Sequence, residues 1–231
     1  MKTLSQADQT RIAQAVAEAE KTTAGEIHCV LAPEVGDDRH LPLIWAFGAA
    51  LLLPALALLA GLRPDMLSRL FGAWSIGQAA AHDAEILSTL LTYVGLQAAT
   101  FLAVGLLVAI PPLRRALIPA AIKRARVRQA AMDHFLAKDL HLTQDRTGVL
   151  IFAALAEHRV EVIADEGVYA LAPNAVWDEV VADLVAGLKS GQIADGFVAG
   201  IARTGAILAA HVPPRPGNVN ELPDGLTMLP R

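Results

Sequence analysis

Three carboxylates beside segments of strand character are the residues best placed to do chemistry. Asp145 precedes the apolar run of residues 148–153, and Asp165 and Glu166 follow the run of residues 159–164. A short turn separates the two runs, which predicts an antiparallel hairpin. The residue before the first strand of a hairpin lies beside the residue after its second strand. The sequence therefore predicts that Asp145 and Asp165 converge.

A divalent cation is the ligand that this arrangement favours, because Ca²⁺ and Mg²⁺ bind several oxygen ligands. Asp165 is the leading candidate, since ligands of open α/β sheets bind at the carboxyl ends of strands. Asp145 is its partner, and Glu166 is a further candidate metal ligand. Glu26 begins another predicted strand and is expected at the other edge of the sheet. The alternative is structural: Asp145 caps a turn and Asp165 initiates one.

Histidine and cysteine side chains offer no catalytic pair. His28 and Cys29 are adjacent on a predicted strand, so they point to opposite faces of the sheet. Cys29 is the lone cysteine and is expected to be a small buried hydrophobe. His158 and His211 are expected to be exposed or capping residues. The sequence has no Gly-rich phosphate loop, GxSxG elbow or HExxH motif, so no catalytic residue is assigned.

The elements that position these residues follow from apolar spacing and turn signals. Alternation over residues 26–31 predicts a first strand. Ser5 and Asp8 resemble a helix start, and Pro119 suits the first turn of a later helix. The tail, residues 213–231, is Pro-rich and is expected to be extended. Four helices are predicted, at residues 6–21, 119–140, 173–191 and 193–211.

Two long apolar runs, residues 41–62 and 86–110, contain no charged residue. Each can cross a hydrocarbon core of about 30 Å, which needs about 20 helical residues. They predict a transmembrane hairpin inserted after the first strand, with Gly95 and Ala99 as a small-residue contact. A short interfacial helix at residues 67–74, or a loop, is expected between them.

The predicted helix at residues 193–211 is also apolar. Asp195 and Arg203 lie inside it, and charges at the centre of a span are costly in lipid. The sequence therefore favours two spans over three.

Charge is distributed unevenly along the chain. Residues 1–40 hold four basic and seven acidic residues, and residues 129–231 hold seven and thirteen. Six basic residues and no acid lie between the second apolar run and residue 129. The positive-inside rule places this flank in the cytoplasm, and two spans return residues 1–40 to the same side. We therefore expect a two-pass protein of the bacterial inner membrane, with both terminal parts cytoplasmic.

The same charge pattern indicates the partners. The negative terminal pieces argue against nucleic acid, and the basic stretch favours contact with anionic lipid headgroups. Its alternative role is that of a solvated helix face. Residues 1–20 lack the basic start and apolar run of a signal peptide, so no export signal is expected.

Several motifs together resemble the TPM domain family, named from a thylakoid lumen protein, a photosystem II repair protein and a nematode acetylcholine-receptor modulator. The resemblance covers roughly residues 5–31 and 120–212, and the inserted hairpin is similar to a bacterial membrane subgroup. The segments that carry it are Thr22 to Ile27 (TTAGEI), Thr147 to Phe152 (TGVLIF), Glu157 to Asp165 (EHRVEVIAD) and Gly167, with Trp177, Gly191, Gly196 and His211 in the closing helices.

The resemblance implies a small α/β/α sandwich. Some relatives are described as acid phosphatases, some bind divalent cations, and others are accessory proteins of membrane complexes. Many are exported or lumenal, and the cytoplasmic placement expected here departs from them. Four segments are predicted: part of the TPM-like domain (1–40), the hairpin (41–112), the basic helix with the rest of the domain (113–212), and the tail (213–231).

The function predicted from these observations is that of a non-enzymatic accessory or partner-binding protein of the inner membrane. Membrane lipid is its expected partner, together with a membrane protein complex. The alternative is a divalent-cation-dependent phosphatase that uses Ca or Mg. No oligomeric state is assigned.

Overall fold

A computed structural model describes residues 4–36, 38, 40–61, 81–143, 145–172, 174–215 and 220–230. The predicted interfacial helix at residues 67–74 lies outside these residues. The chain divides into two compact units, one of residues 1–36 and 120–231 and one of residues 37–119. The first unit is an α/β domain and the second is helical.

The described residues contain one mixed four-stranded sheet, in the order β3-β2-β1-β4. β1 is parallel to β2 and to β4, and β2 is antiparallel to β3. The predicted hairpin is therefore confirmed, whereas β4 lies in the tail and was not predicted as a strand. The strands are β1 (Glu26–Ala32), β2 (Gly148–Ala154), β3 (Arg159–Ala164) and β4 (Leu226–Met228).

The described helices include all four that the spacing predicts, with ends shifted by a few residues. The helices are α1 (Gln6–Glu20), α2 (Leu41–Leu59), α3 (Ala81–Ala109), α4 (Pro111–Ala116), α5 (Ala120–Ala137), α6 (Glu166–Tyr169), α7 (Asn174–Ser190) and α8 (Ile193–His211). α5 ends before the predicted Leu140, because Asp139 has a left-handed backbone (φ 55°) and a 3-10 turn follows it.

α1 begins with the capping pattern that the sequence predicts. The Ser5 hydroxyl accepts a hydrogen bond from the Asp8 amide at 3.1 Å, and the Asp8 carboxylate accepts one from the Ser5 amide at 3.1 Å. This reciprocal pair satisfies amides that the first helical turn leaves without partners. Ile12 and Val16 then face the core of the domain.

Both faces of the sheet are covered by helices. Ile27, Cys29 and Leu31 of β1 belong to a core cluster with residues of α1, α7 and α8. Val30 and Ala32 point the other way and pack in a second cluster with α5. Side chains alternate across a strand, so a central strand buried on both faces requires helices on both sides. The first unit is thus an α/β/α sandwich.

α8 owes its apolar composition to its place in this core. Phe197, Ile201 and Leu208 are fully buried among α1, α7 and the sheet. Its charges are paired at the surface: Asp195 with Arg11 at 2.7 Å, and Arg203 with Asp183 at 2.8 Å and Glu179 at 2.5 Å. This packing explains the apolar sequence without a third span.

The second unit contains α2 and α3, which pack against each other. Ala46, Ala50 and Pro54 form the buried stripe of α2. A Cβ added to Gly105 of α3 would lie 3.5 Å from the Ala46 Cβ, whereas one added to Gly95 would meet nothing within 4 Å. The predicted contact at Gly95 is therefore wrong, and the small-residue contact lies at Gly105.

Three helical segments in the described part of the chain are long and apolar enough to cross a membrane. They are Leu41–Leu59, Thr89–Ala109 and Ile193–His211. The first two correspond to the predicted apolar runs, and the third is α8 of the sandwich.

Replacing Gly187 by alanine should destabilise the sandwich by about 2 kcal/mol, the typical cost of overpacking a core. The added Cβ would lie 2.5 Å from the Gly196 Cα, so α7 and α8 would have to move apart. Gly95→Ala is the matched control, because it adds a methyl group to open space in another helix. Thermal unfolding of both variants in detergent micelles measures the difference, and equal midpoints would contradict the prediction.

Candidate functional site

The segments that contain the predicted carboxylates meet at one end of the sheet. The Asp165 amide donates to the Gly148 carbonyl at 2.9 Å, and the Gly167 amide donates to the Arg146 carbonyl at 3.0 Å. A Cβ on Gly167 would lie 2.6 Å from the carbonyl oxygens of Arg146 and Asp145. The antiparallel pairing of β2 and β3 thus brings the backbones beside Asp145 and Asp165 together.

Glu26 lies at this same end of the sheet, opposite Gly148 in the register of β1 and β2. Its expected place at the other edge is wrong, because strands that run parallel begin side by side. β1 and β2 both begin here and only β3 ends here. This end is therefore mainly the amino end of the strands and differs from the carboxyl end that ligands of open α/β sheets prefer.

Each predicted metal ligand has a protein partner in the structure. Asp145 forms an ion pair with Arg215, and Glu166 forms one with Arg146 at 3.1 Å. Asp165 caps α6, accepting a hydrogen bond from the Glu166 amide at 2.7 Å through Oδ1. The structural role of Asp165 at a turn is therefore observed.

Within the residues that the structure describes, no three His, Cys, Asp or Glu side chains are grouped to hold a metal ion. Asp165 Oδ2 is buried and has no hydrogen-bond partner in the part of the chain that the structure describes. The cation role of Asp145, Asp165 and Glu166 stays a prediction.

Glu26 and His28 form a second polar group that sequence reasoning did not identify as a site. Both point to the α5 side of β1, and their exposed fractions are only 3% and 1%. Glu26 Oε1 accepts a hydrogen bond from the Glu221 amide at 3.3 Å. His28 Nε2 lies 3.1 Å from the Thr227 hydroxyl oxygen. Among the described residues, Glu26 Oε2 and His28 Nδ1 have no hydrogen-bond partner.

Burial determines the protonation of this region. Burial, with smaller contributions from the nearby Lys138 and His134, lowers the pKa of His28 to about 4. It also raises the pKa of Glu26, although the Glu221 and Leu222 amides oppose that change. Desolvation disfavours the charged form of an acid and of a base alike. His28 is consequently neutral at physiological pH.

Glu20 extends the group from the end of α1. Its Oε1 accepts a hydrogen bond from the Ile27 amide at 2.8 Å. Burial, together with the neighbouring carboxyl groups of Glu26 and Asp224, raises the pKa of Glu20 to about 8 despite that bond. Two carboxyl groups from the start of the chain, those of Glu20 and Glu26, thus meet Asp224 of the tail where the tail crosses the start of β1.

The tail reaches this position through β4. Leu226 pairs with Cys29 and Met228 with Leu31, and the Leu229 amide donates to the Leu31 carbonyl at 3.0 Å. A strand of three residues is too short for alternation to predict it. The one relevant signal was the polar Thr227 between apolar neighbours, which places its hydroxyl on the His28 side.

Cys29 lies next to His28 on β1 but does not belong to this polar group. It is a free, fully buried thiol on the opposite face of β1, and burial raises its pKa far above the usual range. A thiol in this state is not an effective nucleophile. Its predicted role as a small buried hydrophobe is confirmed, and His158 is exposed as predicted.

Comparison with known proteins identifies the fold. Residues 116–207 match the family model of the TPM domain. Over these residues the chain is similar to the TPM domain family. The match spans β2, β3 and the helices from α5 into α8, whereas the motif at residues 22–27 lies outside it. In the structure β1, which begins at Glu26, nevertheless forms part of the same sheet as β2.

A solved structure has a similar fold. It is the NMR structure of the BA42 protein from the psychrophilic bacterium Bizionia argentinensis, with a TM-score of 0.56 and 18% sequence identity. The similarity covers 98% of this chain and 96% of that chain. No curated protein matches the sequence significantly. At this identity the likeness concerns the fold alone.

Replacing His28 by glutamine should flatten the acid branch of the stability profile. In the unfolded chain His28 binds a proton near pH 6.5, but in the folded domain it stays neutral until about pH 4. The unfolded state therefore binds more protons between these values, and the wild-type domain loses about 3 kcal/mol as pH falls through them.

The measurement is thermal unfolding in detergent micelles from pH 4 to pH 7. His158→Asn, at an exposed turn position, is the control that should keep the wild-type profile. Parallel profiles for His28→Gln and the wild type would contradict a buried neutral His28.

Proposed function

We propose that this protein is an integral protein of the bacterial inner membrane whose TPM domain is a cytoplasmic, non-enzymatic accessory module for a membrane partner. The observation that carries the membrane part is the surface of α2 and α3. Large apolar side chains remain exposed along both helices, among them Leu52 at 62%, Leu59 at 85% and Leu106 at 72%. A water-facing surface of this kind would be a strong aggregation liability, whereas lipid solvates it.

The charge pattern supports the orientation. Arg114 and Arg115 lie in α4, the short helix after α3, and Lys123 and Arg124 lie in the first turns of α5. Basic residues within a short distance of a span favour the cytoplasmic side. The same residues are suited to the anionic headgroups of the inner leaflet.

The accessory role is supported by the state of the carboxylates at the end of the sheet. Asp145 and Glu166 are engaged in ion pairs, and Asp165 serves as a helix cap. Such partners stabilise loops and turns and do not leave a set of ligands oriented toward a substrate. A TPM domain without catalytic machinery would act by binding another macromolecule.

This proposal predicts that the full chain stays in the membrane fraction after a carbonate wash. Crosslinking in those membranes, followed by pull-down, should recover a membrane protein in constant ratio to the chain. Loss from the washed membranes would contradict the integral part of the proposal. Recovery of the chain alone, at every expression level, would contradict the accessory part.

A divalent-cation-dependent phosphatase is the second candidate, favoured by the convergence of the Asp145 and Asp165 segments. In this role two groups would bind the ion. One is Asp165 Oδ2, which has no hydrogen-bond partner among the described residues. The other is Asp145, which would first have to leave its ion pair with Arg215. Activity of the purified chain on a chromogenic phosphate ester should require Mg²⁺ or Ca²⁺ and should fall at least tenfold in Asp165→Ala. Asp195→Asn, on α8, is the control, and activity that survives chelation would exclude this mechanism.

A further inference from the structure

Residues 220–229 cross the start of β1 and then pair with it, and we refer to them as the C-terminal strap. The strand that attaches the strap to the sheet is short and partly exposed: β4 has three residues, and Met228 is 47% exposed. Further contacts fasten the strap: the Glu221 amide donates to Glu26, Thr227 lies 3.1 Å from His28, and the Leu229 amide donates to the Leu31 carbonyl. These contacts hold it on the edge of β1.

We propose that the C-terminal strap is a pH-sensitive latch, which opens when Glu20 loses its proton beside the carboxyl groups of Glu26 and Asp224 and thereby uncovers the edge of β1. The inference concerns the TPM domain itself and does not rest on the proposed membrane role. It places a conformational device at a group of carboxylates, one buried and two half-buried, that the predicted metal site does not use.

The geometry brings three elements together at this point. Glu20 ends α1, Glu26 begins β1, and Asp224 belongs to the strap two residues before β4. Glu20 is anchored to β1 through the Ile27 amide, and Glu26 is anchored to the strap through the Glu221 amide. Each of the three elements supplies one carboxylate. Negative charge on all three therefore repels the strap from α1 and from β1.

The charged groups acting on Glu20 are acidic. In the described part of the chain these are Glu26 from β1 and Asp224 from the strap, and both raise the pKa of Glu20. Glu26 also faces Glu221, a further carboxylate of the strap. No basic side chain acts on Glu20 or Glu26 among these residues. The group is therefore stable only while it retains protons.

The direction of the switch follows from proton binding. In the closed domain Glu20 keeps its proton up to about pH 8. A Glu20 side chain exposed to water loses its proton near pH 4.5. An open strap exposes the group to water, so the closed state binds more protons and is weakened as pH rises toward 8 and above. Alkaline conditions therefore favour the open strap.

Opening has a defined consequence for the sheet. The backbone groups of β1 that pair with Leu226 to Met228 lose their partners, and His28 loses Thr227. An edge strand with unpaired amides and carbonyls accepts an added strand from another chain. The closed strap thus blocks strand addition at this edge.

Hydrogen exchange with mass spectrometry on the full chain in detergent micelles tests the latch at pH 6.5 and pH 9. After correction for the intrinsic rate, protection of residues 222–229 should fall at least tenfold in the wild type. Glu20→Gln keeps an acceptor for the Ile27 amide and removes the charge, so its protection should fall less than threefold. Asp224→Asn gives a second, more exposed test and should show the same reduced response.

Glu179→Gln is the matched control, because Glu179 pairs with Arg203 away from the strap. It should respond as the wild type does, and peptides from β2 should stay protected in every variant. Strap protection in the wild type that does not change with pH would overturn the proposal. An equal loss in the wild type and in both Glu20→Gln and Asp224→Asn would overturn it as well.

Discussion

β1 pairs in parallel with β2 along its whole length, from Glu26 opposite Gly148 to Ala32 opposite Ala154. Every residue of both strands is buried, so this pairing organises the two hydrophobic clusters on either side of the sheet. It also joins parts of the chain that are separated by the entire helical unit. The remaining elements of the α/β domain attach to this pair: β3 and β4 at the edges, and the helices on the faces.

The pairing of β1 with β2 buries polar side chains at its amino end, which reduces the stability of the domain. The start of β1 buries Glu26 and His28, and two atoms of these side chains make no hydrogen bond among the described residues. Buried polar groups of this kind reduce stability unless they lose their charge. The domain accommodates them by keeping His28 neutral and by favouring the protonated forms of Glu26 and Glu20. Stability and protonation are therefore linked where the tail joins the sheet.

Local patterns in the sequence predicted the elements well. The Ser5 and Asp8 cap, the hairpin and α8 all depend on residues a few positions apart. The meeting of Glu20, Glu26 and Asp224 depends on residues about 200 positions apart, and β4 is too short to show a period. The position of Glu26 was misjudged because alternation gives the faces of a strand but not the direction of its neighbour. Asp165 was placed correctly at a strand end, where both a cap and a ligand fit its chemistry.

The order of the strands also determines the order in which the domain is completed during synthesis. β1 leaves the ribosome early, but its partner β2 follows more than a hundred residues later. At translation rates of about 5–20 residues per second, β1 waits on the order of ten seconds before it can pair. Throughout that interval α1 and β1 expose the apolar faces that later form the core. The core of the α/β domain therefore cannot form until the segment that contains β2 has been synthesised.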